Sequence, residues 1–176
     1  YDDRKRIIAG VKACDLKGLE VLDKAMITED WYDPSYKHWR ENTYLISSDC
    51  TDIADSCHCQ LVDGTPYPQK GFDLNLSLIN DHYFITVGSP RGEELMALMK
   101  EHTLPMHEPE DTALRTVAEN RQSILGRLKA HNAPFERSST FDYLKTDALD
   151  LWHEESKDCV GCGACERVCP KSIIEV

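Results

Sequence analysis

The chain has 176 residues, of which 41% are hydrophobic and 29% are charged, so it can bury a core and is not a disordered polyelectrolyte. Its formal net charge of −11 argues against nucleic-acid binding, which needs clustered Lys and Arg, and against docking on anionic lipid. No apolar run approaches the roughly 18 residues that a transmembrane segment needs.

The cysteines indicate the cellular compartment of the protein, and the two ends of the chain suggest a fragment. Four of the eight cysteines lie close together near the C-terminus, which suits a metal centre better than disulfide bridges to distant segments. With no signal-peptide pattern after Tyr1, this predicts a reducing compartment, the cytoplasm. Because the chain starts without methionine and ends shortly after Pro170, we expect a fragment of a longer polypeptide.

Strand and helix patterns alternate at the start of the chain. Residues 7–11 form a short apolar run that predicts a buried strand, and apolar residues at helical spacing over 16–26 predict a helix of about three turns. Asp33 followed by Pro34 predicts the start of a second helix. Residues 43–46 predict another buried strand, so the whole segment is expected to be a parallel βαβ unit.

The next segment predicts a loop, a hairpin and a helix. Residues 51–71 contain several Gly and Pro breakers and are expected to be a loop. Residues 72–78 alternate apolar and polar side chains, which predicts a half-buried strand, and residues 83–87 predict its return strand. A helix is expected over residues 91–100.

The second half of the chain predicts two helices. Asp111 is the expected N-cap of a helix that runs to about Ala130 with an apolar stripe along one face. A last helix is expected over residues 141–152, and the C-terminal cysteines follow it directly.

These elements predict an α/β fold with a small βαβ-type body, a β-hairpin, a helical connecting segment and a ferredoxin-like segment that binds a cluster. We expect the α/β domain at residues 1–100, the helical segment at 101–156 and the cluster-binding segment at 157–176.

The C-terminal cysteines have the spacing of a bacterial ferredoxin. They are Cys159, Cys162, Cys165 and Cys169. With Pro170 they form the pattern C-x2-C-x2-C-x3-C-P, which predicts ligands of a [4Fe–4S] cluster. Gly161 and Gly163 allow the backbone to approach such a cluster. Structural zinc usually shows two separated C-x2-C pairs instead.

The role of Cys169 has two alternatives. In ferredoxins with two clusters, the fourth cysteine of a run binds the other cluster. A reciprocal run is not present in the 176 residues. Cys169 therefore either completes the same cluster as Cys159, Cys162 and Cys165, or serves a further cluster completed by residues outside this chain.

Four more cysteines lie in the N-terminal half of the chain. They are Cys14, Cys50, Cys57 and Cys59. Cys14 and Cys50 each follow a predicted strand, and if those strands are parallel neighbours, both thiols lie at one sheet edge. The four could bind a [4Fe–4S] cluster. On spacing alone, buried structural thiols, a redox disulfide or a zinc site that includes His58 remain alternatives.

Several short motifs, in this order, resemble those of sulfhydrogenase beta subunits and of the related iron–sulfur subunits of anaerobic sulfite reductases. They are GVKACDL from Gly10, YDPSY from Tyr32, DC at Asp49, SCHC from Ser56, GFDL from Gly71, VGSPRGEEL from Val87, and Trp152 ahead of the last cysteines. The chain departs from the family at Ala13, usually proline, and at His58, usually phenylalanine. It also lacks a second ferredoxin motif.

The resemblance implies an electron-relay subunit with ferredoxin-type [4Fe–4S] clusters, and an additional cluster on Cys14, Cys50, Cys57 and Cys59. Its expected partners are a flavin-binding or ferredoxin protein and the catalytic subunit of an anaerobic hydrogenase, sulfite reductase or heterodisulfide reductase type of complex. The chain itself is expected not to be catalytic, because it shows no nucleophile–base pair, P-loop or GxGxxG motif. The alternative is a zinc-stabilised interaction module.

Overall fold

The fold is mixed α/β, as the sequence predicts. The computed structural model of the protein describes residues 3–28, 32–102, 105–135 and 148–163. The chain divides into two compact units, Tyr1–Pro134 and Phe135–Val176. The domain boundaries expected after residues 100 and 156 stay predictions.

The first unit contains a four-stranded sheet. Its strands are β1 (Arg6–Val11), β2 (Thr43–Ser48), β3 (Leu74–Ile79) and β4 (His82–Val87). Their order in the sheet is β1-β2-β3-β4, with β1, β2 and β3 parallel and β4 antiparallel to β3. The predicted βαβ unit and the predicted hairpin are therefore both confirmed. The sequence did not reveal that β3 joins β2, which places the hairpin in the same sheet.

In the described part of the first unit, four α-helices accompany the sheet, and side chains at their N-termini explain where two of them begin. The helices are α1 (Ala13–Met26), α2 (Pro34–Glu41), α3 (Pro90–Glu101) and α4 (Asp111–Asn132). The Asp33 carboxylate accepts the Tyr36 N–H at 2.9 Å, and the Ser89 hydroxyl accepts the Gly92 N–H at 3.0 Å. In both helices proline then occupies the first turn, where its missing N–H costs nothing. The predicted N-cap of α4 is wrong by one residue, because Glu110 occupies that position.

One core cluster supports the parallel strands. Val11, Leu45 and Phe72 are buried together with Leu16 of α1, and Leu19 packs against them. These residues bring the first helix onto the ends of β1 and β2. Burial of such side chains contributes about 1.5–3 kcal/mol each, so this cluster fixes the crossover between the two strands.

Strand β3 is half-buried, as its alternation predicts, but its more buried face is the polar one. Its polar side chains are almost completely buried, with Asn75 fully inaccessible and Ser77 2% exposed. Helix α4 packs against β3 and covers this polar face. The alternation therefore predicts the wrong face to be solvated, because α4 covers the polar side chains, and hydrogen bonds from the buried surroundings satisfy them, while Leu78 on the other face is 37% exposed.

In the second unit, the described residues contain helix α5 (Leu149–Glu155) and a 3-10 turn at Ser156–Asp158. Most of the helix predicted over residues 141–152 lies outside the described residues. No helix in the described ranges is long and apolar enough to cross a lipid bilayer.

Two helical glycines give a matched test of the packing at the start of α3. A Cβ on Gly92 would lie 2.0 Å from the Asp73 carbonyl oxygen, whereas a Cβ on Gly126 of α4 would meet nothing within 4 Å. We expect Gly92→Ala to lower the free energy of unfolding by about 1–3 kcal/mol, because backbone must move to relieve the overlap. Gly126→Ala should raise it by up to about 1 kcal/mol. Urea denaturation of both variants checks this, and equal effects would contradict the packing described.

Candidate functional site

The parallel pairing of β1 and β2 brings two cysteines to one edge of the sheet. Val11 at the end of β1 is in register with Ser47 near the end of β2. Cys14 follows in the first turn of α1, and Cys50 lies two residues after β2 ends. The predicted adjacency of the two strands is confirmed, so both thiols are presented where open α/β sheets place their ligands.

The loop after β2 carries the other two cysteines of this edge. The Cys57 N–H donates to the Ala54 carbonyl at 2.9 Å, and the Ala54 N–H points back at the Cys57 Sγ at 3.2 Å. Cys59 begins a 3-10 turn that ends at Val62, and the Gly64 N–H closes it on the Cys59 carbonyl at 2.7 Å. A Cβ on Gly64 would also lie 2.7 Å from that oxygen, so the turn requires glycine here.

Two of the N-terminal thiols, Cys50 and Cys59, have raised pKa values to which neighbouring cysteines contribute. Burial raises the pKa of the half-buried Cys50 thiol, and Cys14, Cys59 and Cys57 raise it further, while the Lys12 ammonium lowers it. Burial likewise raises the pKa of Cys59, with additional contributions from Cys14 and Cys57. The parallel ends of β1 and β2 carry Cys14 and Cys50, and Cys14 and Cys59 line the same cleft, so the fold gathers cysteines that are up to 45 residues apart in the sequence into one region.

Backbone N–H groups close to these thiols can donate hydrogen bonds to their sulfur atoms. The Ala54 N–H points at the sulfur of Cys57, and the backbone N–H groups of Gln60 and Cys59 lower the Cys59 pKa by hydrogen bonding. Such bonds stabilise a thiolate and tune a bound metal centre. The exposed His58 instead places its Nδ1 2.9 Å from the Ser56 carbonyl oxygen. His58 lines a cleft of about 470 Å³ beside Cys14 and Cys59.

The four groups at this sheet edge are all thiols, which is the donor set that an iron–sulfur cube takes. Within the described part of the chain, no three His, Cys, Asp or Glu side chains are close enough together to hold a single ion. Sulfurs around one zinc ion would be about 3.8 Å apart, given a Zn–S distance near 2.3 Å. A [4Fe–4S] cube takes one thiolate at each of four separate irons, so its ligands stand farther apart, and all four groups here are thiols.

A buried ion pair anchors the residue before Cys50. The Arg121 guanidinium of α4 donates to both carboxylate oxygens of Asp49, from Nε at 2.7 Å and from Nη2 at 3.1 Å. Asn75 and Ser77 of β3 donate to the same carboxylate at 2.9 and 2.7 Å. The ring of Tyr67 stacks against the guanidinium, with its centroid 4.7 Å away. Only 9% of the Asp49 side chain is exposed, so these bonds replace the water that the carboxylate has lost.

Helix α4 contacts the cysteine loop at two further points. Arg127 forms an ion pair with Asp52, and His131 Nε2 lies 3.1 Å from the Asp55 carbonyl oxygen. Together with the ion pair between Arg121 and Asp49, these contacts attach α4 to residues 49, 52 and 55 of the segment that contains Cys50. The loop that carries the ligands is therefore positioned by a helix that begins more than fifty residues later in the sequence.

Arg121 is not among the residues predicted from the sequence, although the sequence contains a signal for it. Val117, Ile124 and Leu128 are buried and lie on the apolar face of α4. Arg121 falls between them at i+4 from Val117 and i−3 from Ile124, so it shares that face. A charged residue inside an apolar stripe needs a buried partner. The sequence does not identify that partner, because Asp49 lies 72 residues away and spacing along the helix gives no information about it.

The second unit presents the start of the C-terminal cysteine run. Cys159 and Cys162 are exposed, and the Cys159 N–H donates to the Ser156 carbonyl at 3.2 Å. Gly161 and Gly163 have φ values of +65° and +68°, a conformation that favours glycine and agrees with the role predicted for them. The other two predicted ligands, Cys165 and Cys169, lie outside the described residues.

Two arginines of α4 give a matched test of the anchoring ion pair. We expect Arg121→Met to lower the free energy of unfolding by about 3 kcal/mol, because it leaves the buried Asp49 carboxylate without its cation. Arg127→Met should cost less than about 1 kcal/mol, since 51% of the Arg127 side chain and 77% of the Asp52 side chain are exposed. Chemical denaturation of both variants gives the comparison. A loss at Arg121 no larger than at Arg127 would contradict the role assigned to the buried pair.

Thiol reactivity tests the environments of the N-terminal cysteines. In the folded chain without a cluster, we expect iodoacetamide to modify Cys14 on the order of tenfold faster than Cys50 near neutral pH. Cys14 is exposed, whereas burial and the raised pKa of Cys50 reduce access and its thiolate fraction. Mass spectrometry of timed samples measures both rates, and the urea-unfolded chain is the control in which the two should converge. Equal rates in the folded chain would contradict the described burial.

Comparison with known proteins agrees with this chemistry. Residues 155–175 match the 4Fe-4S binding domain family. The chain is 28% identical over 169 residues to sulfhydrogenase 2 subunit beta of Pyrococcus furiosus, an alignment that covers 96% of the chain and 48% of that protein, so the chain spans about half its length. No solved structure gives a significant match. The chain therefore carries a 4Fe-4S binding domain, and the predicted resemblance to sulfhydrogenase beta subunits is confirmed.

Proposed function

We propose that the chain is an iron–sulfur electron-transfer subunit with [4Fe–4S] clusters at two sites. The observation that carries the proposal is that the chain has two separate sets of cysteines. One set lies within the matched 4Fe-4S binding domain, and the other is gathered at the sheet edge of the first unit. Each set supplies four cysteines, which is the number of thiolates that one cube takes.

The first site uses Cys14, Cys50, Cys57 and Cys59. Its support is the parallel register of β1 and β2, the mutual influence of the thiols and the N–H groups directed at Cys57 and Cys59. Partial burial of Cys50 and Cys59 would exclude water from one side of a cluster, and the exposed Cys14 would leave the other side open to a redox partner.

The second site uses Cys159, Cys162, Cys165 and Cys169. Its support is the ferredoxin spacing, which falls inside the matched family segment. Cys169 either completes this cluster or serves a third one that residues outside this chain complete.

A bound [4Fe–4S] cluster supplies one-electron chemistry, accepting or donating a single electron without breaking bonds in a substrate. The contribution of the chain is to hold the thiolates in place, to direct N–H donors at the sulfurs and to limit the access of water. In this proposal the chain relays electrons and has no catalytic residue of its own.

The proposed partners are the other subunits of an anaerobic redox complex in the cytoplasm. The matched relative is the beta subunit of a sulfhydrogenase. We infer that a flavin-binding or ferredoxin partner exchanges electrons with this chain, and that a catalytic subunit of hydrogenase, sulfite reductase or heterodisulfide reductase type does so on the other side.

Metal and sulfide analysis of the anaerobically purified chain tests the proposal. Two filled sites correspond to about eight iron and about eight acid-labile sulfide per chain. Cys57→Ser and Cys162→Ser should each remove about four iron, independently of one another, because each disrupts a different set of ligands.

Three outcomes would change the conclusion. Zinc in place of iron, with no sulfide, would support the zinc-stabilised module and reject electron transfer. A total of about four iron that only Cys162→Ser removes would reject the first site and keep the second. Loss of all iron in both variants would mean that the two sets of cysteines do not bind separate clusters.

A further inference from the structure

We propose that Lys12 is a positioning residue that holds a positive charge against the cluster at Cys14, Cys50, Cys57 and Cys59 and thereby raises its reduction potential. The inference rests on the proposed function at that site. It concerns a residue that takes no part in binding iron and that the sequence analysis did not assign to the site.

Lys12 lies between the chain segments that deliver two of the ligands. It is the residue between β1 and α1, two positions before Cys14. Its Nζ donates to the Ser48 hydroxyl at 2.8 Å and to the Asp49 carbonyl oxygen at 3.2 Å. Asp49 directly precedes Cys50, so the ammonium bridges the ends of the two strands at the sheet edge.

Hydrogen bonds hold both the backbone and the ammonium group of Lys12. The Lys12 backbone N–H donates to the Asp15 carboxylate at 2.9 Å, and the Lys12 carbonyl accepts the Leu16 N–H at 3.0 Å. Two acceptors from the end of β2 then fix the ammonium. A lysine side chain has many rotamers in solution, and the two hydrogen bonds of the ammonium restrict that freedom.

The charge of Lys12 remains available to the thiolates. Both of its Nζ acceptors are uncharged, a hydroxyl and a backbone carbonyl, so neither neutralises the ammonium. The carboxylate of the neighbouring Asp49 is instead paired with Arg121. The effect of Lys12 on Cys50 is consistent with this, since Lys12 favours the Cys50 thiolate while the other thiols oppose it.

The sign of the effect on the potential follows from charge. A cube with four thiolate ligands carries net negative charge, and an electron from a reduced flavin or iron–sulfur donor adds one further negative charge. A fixed cation nearby stabilises the more negative state more strongly. Removing the cation should therefore make the midpoint potential more negative.

Three substitutions separate the charge from the hydrogen bonds. Lys12→Met removes both, Lys12→Gln keeps an N–H donor without the charge, and Lys12→Arg keeps both. Lys24→Met is the matched control, because Lys24 lies on the helix that follows Lys12 but about 18 Å farther along its axis, well beyond a Debye length of about 8 Å.

The experiment is an EPR-monitored redox titration of the full chain, with iron content measured on each sample. The midpoint that disappears in Cys57→Ser identifies the first site. We expect that midpoint to become more negative in Lys12→Met and Lys12→Gln, and to stay near the wild-type value in Lys12→Arg and Lys24→Met. The midpoint of the second site should not move in any of them.

Each of the other outcomes decides against either the role of Lys12 or the proposed cluster site. An unchanged midpoint in both neutral variants, with iron retained, overturns the role of Lys12 while leaving the proposed function intact. Failure of the wild-type chain to bind iron at the first site overturns the proposed function there and this inference with it. If neither neutral variant retains iron but Lys12→Arg does, the charge is needed for the cluster to bind rather than to set its potential, and the inference fails. If Lys12→Arg also loses iron, the site requires the shape of the lysine side chain rather than its charge, and the inference fails.

Discussion

The ion pair between Asp49 and Arg121 links the parts of the first unit that form the sheet-edge site. It joins the end of β2 to α4, and its carboxylate also accepts hydrogen bonds from Asn75 and Ser77 of β3. Without α4, the polar face of β3 would be exposed, and without β3, Asp49 would be a buried anion with one partner. The position of Cys50, the next residue, depends on this network.

Two kinds of constraint converge on the N-terminal thiols. Topology is the first, because parallel strands end at one edge and bring Cys14 and Cys50 together. Local turn geometry is the second, because Gly64 permits the closed turn at Cys59, and the Ala54 N–H points at the Cys57 sulfur. The raised pKa values of Cys50 and Cys59 disfavour their thiolates in the folded chain, and a metal centre bound to the thiolates would offset that effect, as proposed for this site.

Local signals in the sequence predicted local structure well. Asp33-Pro34 and Ser89-Pro90 begin helices because a side-chain acceptor and a proline satisfy the first turn, and both depend on adjacent residues only. The alternation over residues 72–78 identified a strand but not the fate of its polar face. That depended on where α4 would pack, and spacing within β3 contains no information about a helix beginning at Asp111.

The sequence by itself determined the chemistry, because ferredoxin ligand spacing is a property of consecutive residues, and the matched 4Fe-4S binding domain at residues 155–175 agrees with it. It also determined the βαβ unit and the hairpin, whose patterns are local. Only the tertiary structure decided that β2 pairs with β3, that Arg121 partners Asp49 and that Lys12 reaches the end of β2. These contacts join residues 28 to 72 positions apart, and their energies depend on burial, which exists only once the chain has folded.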